Sequence, residues 1–489
     1  MSIAVVPLAT YEPDRARYAP NASDVILNAR PVADGWGPLP SLEIFTEALA
    51  AEPRGLFTAT TPAGTTDAFV GTAAAIYNLE SDGTWTDVKS GAYSLPTGDN
   101  WSFTLFGSRV IVTNSADGVE YWDIGSSSAF ATLSGSPPAA KHAATVGDFV
   151  VLGNIAGTPN KIVWSGLANS TQWTSGEELS DSQTFLDGGA VQGIIPIKGG
   201  GLVFQENVIR SMQYVPESGY TFAFTYANEK RGVIAPNSIV KIGPGDFVYL
   251  SRDGFFRGLG TPIGAEKVDD TFKALVDPSE LENVEGSADP ISKIVWFRFK
   301  TVSGTYQLLG YNWELQRWFQ SDTDVRGLGV MATSAVSLED LDTLYPGGMD
   351  SVALNTDSNA LSGGTPAFAG FNSDYKMGFF TGLAQAATLE TASLQLNPNG
   401  RAFVRGAEVV GDLGVLIGSD PSFTIEVGSS DYHAATETFK TAANPSTRTG
   451  IVPLRDSGRM HRFRINIAFG SGWENITAVR ARFAPEGDA

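Results

Sequence analysis

The chain of 489 residues is long enough for two domains or for one large repeat domain with additions. The absence of cysteine excludes disulfides, thiolate nucleophiles and zinc–sulfur sites, and the formal charge of −20 disfavours wrapping around nucleic acid. A hydrophobic content of 42%, with 54 glycines and 26 prolines, favours many short strands joined by tight turns, so we expect an all-β protein.

The first twenty residues lack a basic region followed by a long apolar run, and no apolar stretch reaches the roughly eighteen residues that a membrane span needs. We therefore expect no signal peptide and no membrane-spanning segment, and we expect folding in a cytoplasm.

A short helix is predicted at Ser41–Ala51, because Leu42, Phe45 and Leu49 fall at helical spacing after Pro40. Farther along, the stretch "VDDTFKALV" (residues 268–276) predicts a second short helix that ends before Pro278.

Strand-like runs, each led by a glycine turn, recur through the middle of the chain. They are "FGSRVIVTN" from Phe106, "VGDFVVLGN" from Val146, "KGGGLVFQE" from Lys198 and "GPGDFVYLS" from Gly243, at spacings of roughly 40, 52 and 45 residues. A second strand-like run often follows each, and repeats of about 40–50 residues are typical of propeller blades. We predict a β-propeller of about six blades over residues 67–370.

The segment at 353–370 is polar and glycine-rich, which predicts a linker or exposed loop. Beyond it, five apolar runs alternate with turns, which predicts an additional antiparallel β-sandwich-like domain over residues 371–489. Residues 1–66 are expected to form an extended segment that contributes to propeller closure and to subunit contacts.

The sequence offers little catalytic chemistry. Its three histidines, His142, His433 and His461, are far apart, and no nucleophile elbow, phosphate-binding loop or dinucleotide fingerprint occurs. "ESDGTWTDV" from Glu80 resembles a compressed aspartate box of sialidases, but a tight turn at Ser81-Asp82-Gly83 explains it without sugar chemistry and is the interpretation we favour. "DTDVRG" from Asp322 lacks the alternating oxygen ligands of a calcium loop. We expect no catalytic residue, no cofactor and no metal site, and therefore not an enzyme.

Five tryptophans could stack on sugars or bases, although such residues more often fill a core; they are Trp164, Trp173, Trp296, Trp313 and Trp318. The polar stretch 164–189 could be a catalytic or sugar-binding loop. We interpret it as turn chemistry, with a self-capping turn from Asn169 to Trp173 and a hairpin signal at Asp187-Gly188-Gly189.

An arginine cluster stands in the last part of the chain, where residues 401–489 hold ten basic and ten acidic residues. Its members, which face only Asp456 in sequence, are Arg448, Arg455, Arg459, Arg462 and Arg464. Two interpretations stay open: a solvated strand face, or a basic patch that docks on an acidic neighbouring subunit.

Taken in order, several stretches resemble the tail nozzle (tail accessory or head-completion) proteins of short-tailed, podovirus-type bacteriophages. They include "PDRARYAPNASDVILNARPVADGWGPLPSL" (13–42), "SPPAAKHAATVGDFVVLGN" (136–154), "IVWSGLANSTQW" (162–173), "DSQTFLDGGAVQGI" (181–194), "RGVIAPNSIVKIG" (231–243), "TPIGAEKVDDTF" (261–272) and "SGRMHRFRINI" (457–467).

The resemblance implies a β-propeller-based virion subunit that is assembled in the host cytoplasm into a homo-hexameric ring of the tail. The ring would lie below the portal and the head-to-tail adaptor protein and support tail fibres, a spike or a needle. Genomic double-stranded DNA would pass through its channel without specific binding. The family has no catalytic residues to carry over.

Two alternatives remain from the residues themselves. One is a propeller-based glycan-binding or glycan-degrading tail protein, and the other is a trimeric baseplate or fibre-attachment protein.

Overall fold

The structure is a computed structural model that describes residues 2–16, 19, 21–61, 64–216, 219–332, 366–413, 423–432, 435, 437–446 and 448–486. The regular structure of these residues is almost entirely antiparallel β-sheet, which confirms the all-β prediction. Seven units of four strands follow one another as the blades of a propeller, one more than the six expected.

In blades 1 to 6 the strands pair in chain order from the innermost outward. Blade 1 contains β8 (Leu56–Thr60), β9 (Thr66–Gly71), β10 (Ile76–Leu79) and β11 (Trp85–Asp87); blade 2 contains β12 (Ser102–Phe106), β13 (Arg109–Thr113), β14 (Glu120–Asp123) and β15 (Ala131–Thr132). Blade 3 contains β16 (Ala140–Val146), β17 (Phe149–Ile155), β18 (Thr158–Trp164) and β19 (Asp181–Thr184); blade 4 contains β20 (Val191–Ile197), β21 (Gly200–Gln205), β22 (Ile209–Tyr214) and β23 (Phe222–Asn228). Blade 5 contains β24 (Val240–Gly243), β25 (Asp246–Ser251), β26 (Gly254–Arg257) and β27 (Thr261–Pro262); blade 6 contains β28 (Glu285–Asp289), β29 (Ile294–Lys300), β30 (Tyr306–Asn312) and β31 (Arg317–Ser321).

The four glycine-led runs of the sequence are the hairpins between the first and second strands of blades 2 to 5, as predicted. Each turn places one glycine in the left-handed region, where a side chain would be strained: Gly107, Gly147, Gly199 and Gly245 have φ values of 65°, 57°, 80° and 74°. In blades 2 to 5 the hairpin therefore joins the innermost strand to the second strand.

Blade 7 joins the two ends of the propeller. It combines β32 (Gly327–Met331), β33 (Ala367–Phe371) and β34 (Lys376–Phe379) with β7 (Glu43–Ala48) from the N-terminal part of the chain. The predicted helix at 41–51 is therefore wrong, because pairing with β34 overrides the helical spacing of its apolar residues. Strand β33 also forms within the end of the segment predicted to be a linker or exposed loop. Residues 353–365 of that segment lie outside the described residues.

Blade 6 does not end at its fourth strand. A bridge from Gln320 to Leu27 connects β31 to β4 (Ile26–Leu27), and the sheet continues into a second domain. One sheet of that domain adds β35 (Ala387–Glu390), β36 (Leu394–Gln395), β38 (Phe423–Ser430), β39 (Thr438–Phe439) and β41 (Met460–Ile467). The other contains β1 (Ser2–Pro7), β5 (Ala29–Val32), β6 (Gly35–Pro38), β37 (Ala402–Asp412), β40 (Val452–Gly458) and β42 (Asn475–Pro485).

The pairing shifts the predicted domain boundaries. Blade 1 begins with β8 at Leu56, ahead of residue 67, and the propeller also includes β7 and β34, which lie outside residues 67–370. The N-terminal strands β1, β4, β5 and β6 belong to the two sheets of the second domain, and β2 (Thr10–Tyr11) pairs with β3 (Ala22–Ser23). Helix α1 (Asp269–Leu275) forms where the second helix was predicted, and short 3₁₀ helices cover Pro236–Ser238 and Pro278–Asn283.

Apolar clusters fill the spaces between neighbouring blades, and the largest extends from blades 5 and 6 into the second domain. Its fully buried members include Trp36, Phe255, Trp318, Phe463 and Ile476, which come from both domains. Propeller and sandwich thus share one core as well as one sheet.

Candidate functional site

The inner strands of blades 1 to 4, 6 and 7, together with the 3₁₀ helix Pro236–Ser238 that precedes blade 5, line a central cavity of about 560 Å³. Its lining is mostly neutral and polar, and includes Thr58, Asn100, Ser102, Gln192, Asn237 and Ser287. A cavity of this size lies in the range of small-molecule sites.

Glu285 is the one carboxylate that lines this cavity among the residues that the structure describes. Its Oε2 accepts from Nε of Arg298 at 2.9 Å, and both side chains are about one-tenth exposed. Burial raises the pKa of Glu285, and the charge of Arg298 opposes that rise. Burial also lowers the pKa of His142 to about 3, so this imidazole is neutral near pH 7. The one described carboxylate of the cavity lining is therefore paired with Arg298, and the lining carries little net charge.

A smaller cavity of about 240 Å³ adjoins the first, sharing Asn100 and Asn237 with it. Of its three carboxylates, Asp99 pairs with Lys141 at 2.6 Å and Glu280 pairs with Lys300 at 3.2 Å, whereas Glu52 lies near the charge of Glu285. Glycoside hydrolysis needs one carboxyl group that donates a proton and a second that acts as nucleophile or base. Of the four carboxylates that line these two cavities among the described residues, three are instead paired with cations.

The two candidate loops are built by local hydrogen bonds. Oδ1 of Asp82 accepts from the backbone N and the hydroxyl of Thr84 at 3.0 and 2.6 Å, which is the geometry of a tight Asx turn. Oδ1 of Asp322 accepts from Nδ2 of Asn28 at 2.7 Å. Across the described residues, no group of three or more His, Asp or Glu side chains is gathered closely enough to hold a metal ion. His433 lies outside those residues.

The tryptophans are core residues. Trp164, Trp173, Trp296 and Trp318 are all less than one-tenth exposed, and Trp313 is half-buried against the largest core cluster. This confirms the core interpretation over stacking on a ligand.

The stretch 164–189 is held by its own turns. Oδ1 of Asn169 accepts from the backbone N of Thr171 at 3.0 Å, which confirms the predicted self-capping turn. Gly188 and Gly189 have positive φ, but they link blade 3 to blade 4 rather than closing a hairpin. Asp187 accepts from Arg210 and from the hydroxyl of Tyr226, so its carboxylate has structural partners.

The five arginines of the predicted cluster do not share one surface. Arg462 and Arg464 lie on β41 in a network between sheet strands, where Arg462 is 4% exposed and pairs with Asp24 and Glu390 at 2.6 and 3.0 Å. Arg464 pairs with the same Glu390 at 2.5 Å and with Glu426 at 3.1 Å. Burial raises the pKa of Glu390, while the two guanidinium groups oppose the shift. Arg462 and Arg464 thus hold strands of the sandwich together.

The other three members, Arg448, Arg455 and Arg459, are exposed. Arg455 lies on β40, on the solvent side of the sheet that also contains β1, β37 and β42. On that side the strand alternation also places Arg480 and Arg482 of β42, together with Arg405 at a bulge of β37. We call the four residues Arg405, Arg455, Arg480 and Arg482 the basic face. In the sequence, the alternation in "VRARF" (479–483) indicates that two of them, Arg480 and Arg482, lie on the same side of a strand.

In the part of the chain that the structure describes, no helix is long and apolar enough to cross a membrane.

No family model and no curated protein matches the chain. Among solved structures, it is similar to an exo-β-1,3-galactanase from Phanerochaete chrysosporium in complex with β-1,3-galactotriose, at 12% identity and a TM-score of 0.28, over 91% of this chain and 100% of the other. The same enzyme with galactose gives 11% identity and a TM-score of 0.28, over 90% of this chain and 100% of the other. The computationally designed protein Ika8 gives 10% identity and a TM-score of 0.33, over 69% of this chain and 99% of the other. Similarities at this level carry no argument about function.

Proposed function

We propose that the chain is a structural subunit of a short bacteriophage tail, which forms the nozzle ring below the portal and adaptor. The sequence resemblance to that family runs in order through most of the chain. The observation that carries the proposal is the state of the cavity carboxylates: Glu285, Asp99 and Glu280 are each neutralised by a cation, which suits a scaffold better than a hydrolase.

The dimensions of the propeller constrain how such a ring would conduct DNA. A central cavity of about 560 Å³ accommodates a small molecule and not a duplex. A DNA channel must then lie between subunits, with the propeller as part of its wall. The formal charge of −20 favours a wall that repels phosphates and lets the duplex slide.

The test is assembly on purified portal–adaptor particles, imaged by negative stain. We expect six copies in a ring at the distal end of the adaptor. A compact trimer of the isolated chain, or particles that stay bare when the chain is added in excess, would refute the proposal and favour a fibre-attachment protein.

A second candidate is a glycan-binding propeller, which the neutral amides and hydroxyls of the central cavity favour. Asn237 and Gln192 line that cavity and supply donors and acceptors that suit sugar hydroxyls. Binding of phage-receptor oligosaccharides that the double variant Gln192→Ala/Asn237→Ala abolishes would support this candidate. The nozzle proposal predicts no such binding and no release of reducing sugar.

A further inference from the structure

The basic face stands out against the charge of the whole chain. Residues 1–400 hold 23 basic and 43 acidic residues and so carry the entire excess of −20, whereas residues 401–489 are balanced. Yet four arginines share the solvent side of one sheet, where Glu408 pairs with Arg480 at 2.8 Å and with Arg482 at 3.6 Å. Arg405 and Arg455 are exposed. Positive charge is therefore concentrated on this side of the sandwich.

The strand register places Arg480 and Arg482 on one side of the sheet, and Arg455 lies two residues after Pro453, which is opposite Gly406 on that side. Arg405, at the adjacent bulge, is exposed as Arg455 is. Arg482 lies opposite Gly406 on β37 and opposite Ile3 on β1, and Arg480 lies opposite Glu408 and Val5. Directly opposed residues of antiparallel strands project to the same face. The reverse face, with Ala407, Ala481 and Val452 in register, is fully buried in the core.

An apolar margin borders the basic face. Ile3 is 59% exposed and Val5 is 60% exposed, next to Arg482 and Arg480. Strand β1 pairs with β42 on one side, and within the described residues no other strand pairs with its second edge. Its sequence, SIAVVP, contains no charged residue that would protect an open edge from pairing with another chain. Exposed arginines beside apolar side chains are a composition typical of protein interfaces.

We propose that the basic face and the β1 margin bind an acidic surface on the propeller of a second copy of this chain. Charge complementarity favours this occupant, since every copy supplies both the arginine-rich sheet and an acidic excess in residues 1–400. Such a contact joins two different surfaces head to tail, which closes into a ring when the rotation between copies permits. The inference rests on the proposed function and names the contact that would build its ring.

Nucleic acid is the competing polyanion. The apolar margin of Ile3 and Val5 gives no affinity for phosphates, and Glu408 between two of the arginines repels them. These features favour a protein surface over a DNA backbone.

The experiment measures self-association by sedimentation velocity over a range of protein concentrations and at low and high salt. We expect the wild type to form complexes that weaken as salt rises, because charge pairs at an exposed contact are screened. The double variant Arg405→Glu/Arg455→Glu, whose residues lie outside the Glu408 ion pairs, should associate at least tenfold more weakly. Ile3→Lys/Val5→Lys should also weaken association.

The matched control is Lys230→Glu/Arg252→Glu, which changes the net charge equally at exposed propeller positions and should associate as the wild type does. Unfolding midpoints of all variants establish that each is folded. The inference is overturned if the wild type stays monomeric at every concentration or if the face variant associates normally. It is also overturned if the arginines instead bind a short DNA duplex.

The outcome is separable from that of the proposed function. Self-association through the basic face without binding to portal–adaptor particles would refute the nozzle and leave this contact standing. Ring assembly on the particles that persists in the Arg405→Glu/Arg455→Glu variant would refute this contact and leave the nozzle proposal standing.

Discussion

The division of the arginines into internal and surface groups predicts that two similar substitutions differ strongly in their effect on stability. Arg462→Met removes a guanidinium that is 4% exposed and that donates to Asp24 and Glu390 at 2.6 and 3.0 Å. Glu390, 1% exposed, would keep Arg464 as its remaining cation. The variant should be strongly destabilised.

The magnitude follows from the partners that remain. Removing one member of a buried ion pair costs about 3–5 kcal/mol. The lower end applies, because Arg464 still lies 2.5 Å from Glu390 and Asp24 is partly exposed to water. We therefore expect the free energy of unfolding to fall by about 3 kcal/mol near neutral pH.

This loss should depend on pH. Loss of the Arg462 charge raises the pKa of Glu390 further, beyond the rise that burial already causes. A folded-state pKa above the unfolded value makes the fold more stable as pH falls through it, so the deficit of the variant should shrink between pH 7 and pH 4.

Urea unfolding followed by tryptophan fluorescence measures both quantities. The matched control is Arg455→Met on the exposed side of β40, for which we expect a change within about 0.5 kcal/mol. Equal losses in the two variants, or an Arg462→Met protein as stable as the wild type at pH 7, would refute the assignment of Arg462 to an internal network.

Two further predictions concern the propeller. Burial raises the pKa of Asp269 to about 6, so ionisation destabilises the fold as pH rises from the unfolded pKa to that value. Asp269→Asn should therefore raise the free energy of unfolding at pH 7 by at most about 3 kcal/mol, seen as a higher unfolding temperature than that of the wild type, and the two proteins should unfold at the same temperature at pH 4. A Cβ at Gly71 would lie 2.1 Å from the ring of Trp101, so Gly71→Ala should cost about 1–3 kcal/mol and redshift the tryptophan emission, whereas Gly118→Ala, with open space around it, should not.

The repeated parts of the fold were predictable from the sequence, and its closure was not. Glycine before a β-branched run marks a hairpin locally, so blades 2 to 5 could be placed by Gly107, Gly147, Gly199 and Gly245. Strand β7 has no such local signal, because it is a strand only through its pairing with β34, to which it hydrogen-bonds over a separation of 331 residues. Its apolar residues at helical spacing therefore indicated the wrong element.

The arginines show the same limit at the level of a site. Proximity in sequence grouped Arg455 with Arg462 and Arg464, but the sheets turn Arg455 outward and the other two toward Glu390. Strand alternation could indicate that Arg480 and Arg482 share a face. Which face meets solvent depends on strand order, which no local pattern specifies.

Closure by β7 also determines when the protein can fold during synthesis. The amide of Met377 bonds to the Thr46 hydroxyl over a separation of 331 residues, and Gln320 bridges to Leu27 in the continuous sheet. At translation rates of about 5–20 residues per second, β34 is synthesised roughly 20–70 s after β7. Throughout that time the uncharged strand β1 lacks its partner β42, so its backbone groups stay open to pairing with other chains.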